Sequence, residues 1–225
     1  MEKQVSMKTG LTIFALFLLL NGCAAPLPEI AELFHQLHVV QSSDGSDRHQ
    51  QLSLFIRLDV EEGAPDIHSV YLIHDNSELY WVYSPEELIE REIDGMPWMG
   101  TNGIAMPDNT PFPAGRYRVA VVDAAGEEDE QEFYLSRLNM PEKNEWLPLI
   151  SISHQVEFES PFSENYLRFY TEELKHLHTE WITPGIHPLP ALSGFDKQKV
   201  FLFYIFSYEH SSGAAVVTGP FYLSG

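Results

Sequence analysis

The chain has 225 residues, a formal net charge of −20 at pH 7 and one cysteine. A body this acidic is repelled by phosphate backbones and by anionic lipid headgroups, so we expect no nucleic-acid partner and no electrostatic attraction to a membrane. With one cysteine the chain forms no internal disulfide. Its stability must come from apolar burial, for which a hydrophobic content of 44% is sufficient.

The first residues combine a positive start with a short apolar run. Lys3 and Lys8 precede residues 11–20, which read LTIFALFLLL. This run has the length of the hydrophobic region of a secretory signal and is well short of the about 20 apolar residues that a spanning helix needs. Cys23 follows almost at once, so we interpret the start of the chain as a processing and anchoring signal.

This segment resembles the signal peptide of bacterial lipoproteins. Its lipobox consists of four consecutive residues, Leu20, Asn21, Gly22 and Cys23. The resemblance implies a signal peptide at residues 1–22 that signal peptidase II removes, and a lipidated tether at residues 23–28 that begins with an acylated Cys23. Two or more acyl chains anchor a protein stably, so we predict that the protein contacts the membrane through the lipid bound covalently to Cys23. In some bacterial lipoproteins an Asp directly after the Cys is associated with retention in the inner membrane. This chain has Ala24 there, so the resemblance favours the outer membrane of the cell envelope and does not specify the leaflet.

The residues after the tether allow two interpretations. Four apolar residues at helical spacing predict a short helix: Ile30, Leu33, Phe34 and Leu37. A first strand through Leu37 and Val39 is the alternative. Polar residues 42–47, which include the turn sequence Asp44-Gly45-Ser46-Asp47, then predict a loop.

Strict alternation begins at Leu52. Apolar residues occupy every second position of residues 52–60, which predicts a half-buried strand. Residues 70–74 and 79–83 are β-branched and aromatic runs on either side of a turn, and they predict a hairpin. Ser84-Pro85-Glu86-Glu87 has the signature of a helix start, so we expect a short helix there. Residues 94–111 contain repeated Gly and Pro and predict a long loop.

The motif around Tyr117 carries the second resemblance. Residues 113–119 read PAGRYRV and lead into an apolar strand, a turn and another strand. The pattern resembles the entry to the penultimate strand of immunoglobulin-like and fibronectin type III-like sandwiches. In those folds a Tyr returns its hydroxyl to upstream backbone as a tyrosine corner, and Tyr117 is the candidate for that role. A plain G-x-Y at any strand start is the competing account.

A short repeat supports the same architecture. The string FYLS at residues 133–136 recurs at residues 221–224, each time at the end of a strand-turn-strand unit. Further short strands are predicted at residues 149–153, 155–159 and 166–170. We therefore predict an all-β fold with two tandem immunoglobulin-like sandwich domains, at residues 29–137 and 145–225, joined by a linker at residues 138–144.

Two aromatic features bear on the interior of that fold. Residues 200–206, VFLFYIF, are apolar on both pleat faces and predict a central strand that is covered on both sides. Three candidates could cover the second face of this strand: residues 183–195, the first domain or another chain. Three tryptophans, Trp81, Trp146 and Trp181, are expected in cores or at a domain interface.

Ten histidines raise the possibility of a metal site. His176 and His178 would share one face of a strand, and His35 and His38 would share one face if their segment is helical. A zinc site needs three or four converging ligands, and the spacing predicts no convergence, so these are weak candidates. The acidic string at residues 127–132 is interpreted as a solvated hairpin edge that discourages pairing with other chains, rather than as a calcium loop.

The predicted loop at residues 94–111 carries unusually bulky apolar residues: Met96, Trp98, Met99, Ile104 and Met106. They would form an adaptable contact patch for a protein or a glycan, or they would plug the open end of a sandwich core. No nucleophile elbow, zinc-protease motif or phosphate loop is present in the sequence, so we expect no catalytic activity and no cofactor. We predict a lipid-anchored binding or assembly module, with a metal-binding protein or metal-dependent hydrolase as the alternative.

Overall fold

A computed structural model describes residues 27–59, 66–138, 148–152, 155–188, 200–210 and 213–222. Within these ranges the chain forms β-strands and one 3-10 helix, Pro85–Glu87, so the all-β prediction is confirmed. The strands are β1 (Glu29–Gln41), β2 (Arg48–Asp59), β3 (Ile67–His74), β4 (Leu79–Tyr83), β5 (Ile89–Ile93), β6 (Met96–Ala105), β7 (Gly115–Asp123), β8 (Glu128–Leu135), β9 (Leu149–Ile152), β10 (Gln155–Glu159), β11 (Glu164–Tyr170), β12 (His176–Trp181), β13 (Gly185–Pro188), β14 (Leu202–Glu209) and β15 (Ala214–Tyr222).

These strands form three sheets. The largest has eight strands in the order β12-β11-β14-β15-β1-β2-β6-β5. A four-stranded sheet has the order β4-β3-β7-β8, and a three-stranded sheet has the order β13-β10-β9. All pairings are antiparallel except that of β1 with β15, which are parallel over residues 38–41 and 215–218. The arrangement is β-sandwich-like.

Both smaller sheets cover the same face of the eight-stranded sheet. Side chains of β1, β2 and β6 share one core with the four-stranded sheet, and side chains of β11, β14 and β15 share another with Phe158 of β10. Val39 of β1 lies opposite Val216 of β15, and Val216 lies opposite Ser207 of β14. Laterally paired residues project from the same face of a sheet. The buried positions of both halves are therefore on one side, and no sheet in the described part of the chain covers the opposite side.

A small cluster fills the junction between the two cores. Val39, Phe162, Ala214 and Val216 are buried together there, with Leu138 packed against them. Strands from both predicted domain ranges therefore belong to one sheet, although the division into two domains stays a prediction. The predicted linker lies almost entirely outside the described residues, apart from Leu138.

The alternation in β2 is confirmed, but the helix expected at residues 30–37 is wrong. Leu52, Leu54, Ile56 and Leu58 are buried, while Val60 lies outside the described residues. Residues 29–41 form β1, which pairs with β2 from Glu29 to Gln41. Long-range pairing overrides the local helical spacing, because the ladder and the core together outweigh a weak propensity. In β1 Leu37 enters the core while Phe34 faces solvent.

The hairpin and the short helix are confirmed. β3 and β4 pair antiparallel around the turn at residues 75–78. In the 3-10 helix that follows, the Ser84 backbone N–H donates to the Glu87 carboxylate at 2.9 Å, as in a capping box. Proline at the first helical position favours the start of this helix, which ends after three residues because Leu88 is extended and leads into β5.

The long loop expected at residues 94–111 is wrong, because residues 96–105 form β6. Pro97 is tolerated since it lies beyond the last residue pair with β2, which joins Ile56 to Met99. The register shifts by one residue between Leu52 and Leu54, which marks a β-bulge near Gly103. At Gly100 the backbone runs so close to β2 that a Cβ would collide with the Leu54 carbonyl oxygen. The glycines therefore serve the strand and do not end it.

Tyr117 makes the hydrogen bond that a tyrosine corner requires. It is fully buried at the start of β7, and its hydroxyl donates to the Pro113 carbonyl oxygen at 2.8 Å. Burial raises the pKa of the Tyr117 phenol, so the hydroxyl keeps its proton and remains a donor. Its ring lies between His74 and Phe133, with centroids 4.6 Å and 5.5 Å away.

The later strands follow the sequence expectations closely. β9, β10 and β11 occur where short strands were predicted, and β14 and β15 form the predicted antiparallel pair. β14 is central, between β11 and β15. One face of β14 is buried, with Phe203 and Ile205, while Phe206 on the other face is only half-buried. The double cover expected for this strand is therefore absent from the described part of the chain.

The acidic hairpin and the first turn also match expectation. β8 is an edge strand of the four-stranded sheet, and its Glu130 receives two hydrogen bonds from Arg118 of β7. Such charges on an edge discourage pairing with other chains. In the β1–β2 turn, hydrogen bonds from Ser42 and then Ser46 lower the pKa of the Asp44 carboxyl to about 2.

Replacing Tyr117 by Phe tests the corner. The variant loses the bond to Pro113 while keeping the buried ring, so we expect a loss of about 1 kcal/mol in the free energy of unfolding. Urea denaturation measures it. Tyr134→Phe is the matched control, because Tyr134 is 67% exposed on the neighbouring strand. Equal stability of the two variants would show that the hydroxyl bond contributes nothing.

Replacing Gly100 by Ala tests the close approach of β6 to β2. The added Cβ would lie 2.6 Å from the Phe55 Cα, so backbone must shift, and we expect destabilisation of about 2 kcal/mol or more. Thermal and urea unfolding measure it. Gly103→Ala on the same strand should change stability by only about 0.5 kcal/mol, because its nearest atom is the Thr101 Oγ1 at 3.7 Å. Comparable effects would contradict the tight contact.

Candidate functional site

The open face of the eight-stranded sheet contains a groove of about 700 Å³. Side chains from β1, β2, β5 and β6 form one wall, and side chains from β11, β14 and β15 form the other. We call it the open groove and define it by six of its residues: Phe34, Phe55, Arg91, Trp98, Arg168 and Phe206. It exists because the two smaller sheets cover only the opposite face.

The groove lining is predominantly apolar and aromatic. Phe34 is 49% exposed, although an isolated aromatic side chain on a strand is ordinarily covered. Phe55 lies against Gly100 of the neighbouring strand, where a Cβ would be 2.7 Å from its ring. The missing side chain at Gly100 thus leaves space for the Phe55 ring. Together with Trp98 and Phe206, these rings form a contiguous apolar surface of the kind that marks a binding site.

Several polar groups of the groove already form hydrogen bonds within the protein. The Gln36 side-chain amide donates to the carbonyl oxygens of Leu37 and Gly213, at 2.8 and 3.1 Å. The His38 Nε2 donates to the Gln51 Oε1 at 3.2 Å. Burial lowers the pKa of His38, so this imidazole is neutral at pH 7. These side chains have little hydrogen-bonding capacity left for a ligand.

Polar side chains on the other wall, formed by β11, β14 and β15, are also hydrogen-bonded within the protein. The Tyr166 hydroxyl donates to the Glu164 carboxylate at 3.0 Å, and the His210 Nε2 binds the other carboxylate oxygen. The bond from His210 is the main reason why the pKa of Glu164 is lowered. The carboxylate of this wall is therefore engaged within the protein.

The two groove arginines differ from these residues. Neither Arg91 nor Arg168 forms an ion pair with any residue that the structure describes, and the side chains of both are exposed. The Arg168 guanidinium carbon lies 4.1 Å from the centroid of the Phe206 ring, a cation–π contact that uses none of its N–H donors for an acceptor. The groove therefore combines an apolar floor with unengaged cationic groups.

The structure divides the predicted contact patch between two faces of β6. Met96, which is 51% exposed, and Trp98 project to the open side, and Trp98 lines the groove. Ile104 is fully buried, and Met99 and Met106 pack against the same core. Side chains alternate across a strand, so Ile104, Met99 and Met106 contribute to the core, whereas a contact role for the exposed Met96 and the groove-lining Trp98 stays a prediction.

The tryptophans follow expectation only in part. Trp81 packs against the first core, and its indole N–H donates to the Ala105 carbonyl oxygen at 3.2 Å. The core position expected for Trp181 is wrong, because Trp181 is 49% exposed and meets the Tyr166 ring edge-on at 4.9 Å. Trp146 lies outside the described residues.

The structure brings no histidine cluster together within its described ranges, where no three His, Cys, Asp or Glu side chains are placed to hold one metal ion. His176 bonds to Thr179, and His178 bonds to Glu180, both on β12. The shared face expected for His35 and His38 is wrong, since three positions apart on a strand they point to opposite sides. His35 stacks on Phe133 at 4.2 Å, whereas His38 faces the groove.

Sequence reasoning missed most of the groove. Phe34, Phe55 and Arg168 received no functional interpretation, because they come from strands far apart in sequence. One usable signal was present, the aromatic residues at the polar positions of alternating strands: Phe55 in β2 and Tyr166 in β11. The residues of the predicted lipobox, with Cys23, lie outside the described residues.

A scan against protein-family models matches none of them, and a search of curated proteins finds no matching sequence. In the described part of the chain, no helix has the length and apolar character required to cross a bilayer.

Replacing His210 by Ala tests the electrostatics of the groove wall. Without its main hydrogen-bond partner, the pKa of Glu164 should rise towards the ordinary value of about 4.3. A lowered carboxyl pKa stabilises the fold above the unfolded-state pKa, and this stabilisation is lost as the pH falls through the folded-state pKa. The variant should therefore lose less stability than the native chain below about pH 4.3.

Carboxyl-carbon NMR titration measures the pKa, and urea unfolding at several acidic pH values measures the stability. His68→Ala is the control, because His68 is an exposed histidine on β3. An unchanged Glu164 titration in the His210 variant would show that the contact does not govern this carboxylate.

Proposed function

We propose that this chain is a lipid-anchored, non-enzymatic binding protein of the bacterial cell envelope, and that the open groove binds a largely apolar ligand. The observation that carries the proposal is the groove itself. Its volume of about 700 Å³ lies within the range of small-molecule sites, which have apolar linings and few free polar groups. A sandwich-like arrangement compatible with immunoglobulin-like domains suits a binding role.

The groove has few polar groups that are free to bind a ligand, and this shortage argues against a glycan, one of the two partner types predicted from the sequence. A sugar presents many hydroxyls, each of which loses hydrogen bonds to water when it is buried. Gln36, His38 and Glu164 are already bonded within the protein and offer few replacements. An extended peptide is also disfavoured, because strand addition needs a sheet edge and the groove lies on a sheet face.

Anchoring would hold the groove close to a membrane. In the proposal Cys23 carries the acyl chains, and the six residues from Cys23 to Glu29 span at most about 20 Å. Phe34 lies five residues further along β1, or about 17 Å. An apolar ligand could therefore pass between the groove and the nearby lipid. The proposed location is the outer membrane, and no observation on the described residues favours the metal-dependent alternative.

Two neighbouring substitutions on β6 test this site. Trp98→Ala removes an aromatic wall of the groove, so we expect binding of the neutral dye Nile red to weaken about tenfold while stability changes little. Met99→Ala removes a side chain that packs on the core, so we expect a loss of about 1 to 2 kcal/mol in stability and unchanged dye affinity. Dye fluorescence and urea denaturation measure the two quantities.

Tyr134→Ala serves as a further control, since Tyr134 is an exposed aromatic residue outside the groove. If the native chain binds no dye, or if the Trp98 and Tyr134 variants lose affinity equally, the groove is not the binding site.

A further inference from the structure

We propose that the ligand of the open groove is an anionic amphiphile with one acyl chain, whose carboxylate or phosphate is bound by Arg168, while Arg91 on the opposite wall adds positive charge to the groove. This inference rests on the proposed binding function and specifies the ligand class. It follows from the charged residues that line the groove, Arg91, Arg168 and Glu164, whose sum is positive although the whole chain is strongly negative.

The cations of this chain are scarce, and three of the eight in the described ranges, Arg57, Arg116 and Arg118, form ion pairs. The chain has 13 Lys and Arg against 33 Asp and Glu. Arg57 binds Glu32 at 2.6 Å, and Arg118 binds Asp75 and Glu130, each at 2.7 Å. Acidic side chains are in such excess that two groove arginines with no carboxylate partner among the described residues make the groove locally positive. An anionic group of a ligand is the complement that this site lacks.

The surroundings of Arg168 keep its donors available. The residues opposite it on the neighbouring strands are Thr179 and Tyr204, neither of which is charged at pH 7. Glu164 lies four positions away on the same strand, about 13 Å, and is bonded to His210 and Tyr166. The Phe206 ring holds the guanidinium at the groove wall, where its planar fork suits bidentate contact with a carboxylate or a phosphate.

The apolar floor specifies the rest of the ligand. Phe34, Phe55 and Trp98 offer aromatic contact area in which the Trp98 indole N–H is the one polar group, and such a surface suits a hydrocarbon chain. The open groove has a single apolar floor, so we assign one acyl chain to the ligand. Polyanions are unsuitable ligands because the negative charge of the whole protein repels them. A single headgroup in contact with Arg168 is affected mainly by charges within a Debye length, about 8 Å, because salt screens the more distant ones.

Calorimetric titration of the full chain carrying Cys23→Ser tests the proposal without a competing acyl group on the protein. The probes are three amphiphiles with equal chains, each below its critical micelle concentration: dodecanoate, dodecyltrimethylammonium and dodecyl maltoside. We expect one dodecanoate per chain, bound about tenfold or more tightly than the other two. Arg168→Gln should remove most of this preference, and the double variant with Arg91→Gln should remove all of it.

Arg137→Gln is the matched control, because it removes the same charge from an exposed residue outside the groove and should keep the preference. If all three probes bind equally, or if the Arg168 and Arg137 variants lose equal affinity, the anionic assignment is overturned while the proposed groove remains. If none of the probes binds, the proposed function itself fails. Binding to anionic vesicles with no binding of monomeric dodecanoate would mean that the groove docks on a membrane, which also overturns the proposal.

Discussion

The parallel pairing of β1 with β15 is the contact on which the remaining architecture depends. Residues 38–41 of β1 pair with residues 215–218 of β15, while the full length of β1 pairs with β2. One strand thereby joins two groups of strands that are far apart in sequence into a single eight-stranded sheet. The buried cluster around Val39 and Val216 supports this junction from the core side. Without the pairing, the two halves would have separate faces and no common groove.

The groove is the consequence of covering this sheet on one side only. The smaller sheets bury the apolar positions of one face, and the alternation of side chains places every other residue on the opposite face. On that open face several polar groups are hydrogen-bonded within the protein, while aromatic rings and two arginine side chains have no such bonds to the residues that the structure describes and can contact a partner. A strongly acidic chain can thus present a site of opposite charge, because the sign of a site depends on its nearest groups and not on the total.

The success of sequence reasoning varied with the origin of each signal. Strand β2 was predictable because Leu52, Leu54, Ile56 and Leu58 alternate within one segment, and the Tyr117 motif contained its own hydrogen-bond partner four residues upstream. The prediction failed at β6, where glycines that normally end a strand instead permit close approach to β2 and a bulge. It failed again at Trp181, because large aromatic residues are usually buried and this one faces the open side.

By itself the sequence determined the all-β class, most strand positions, the acidic charge and the absence of a disulfide, since each depends on composition or on neighbours within a few residues. Only the tertiary structure decided that β1 is a strand, that one sheet contains strands from both halves of the chain, and that Phe34, Trp98 and Arg168 line one groove. The physical reason is that pairing between distant strands sets which face of each strand is covered. Local periodicity shows that a strand has two faces, but it does not show which neighbours will share the exposed one.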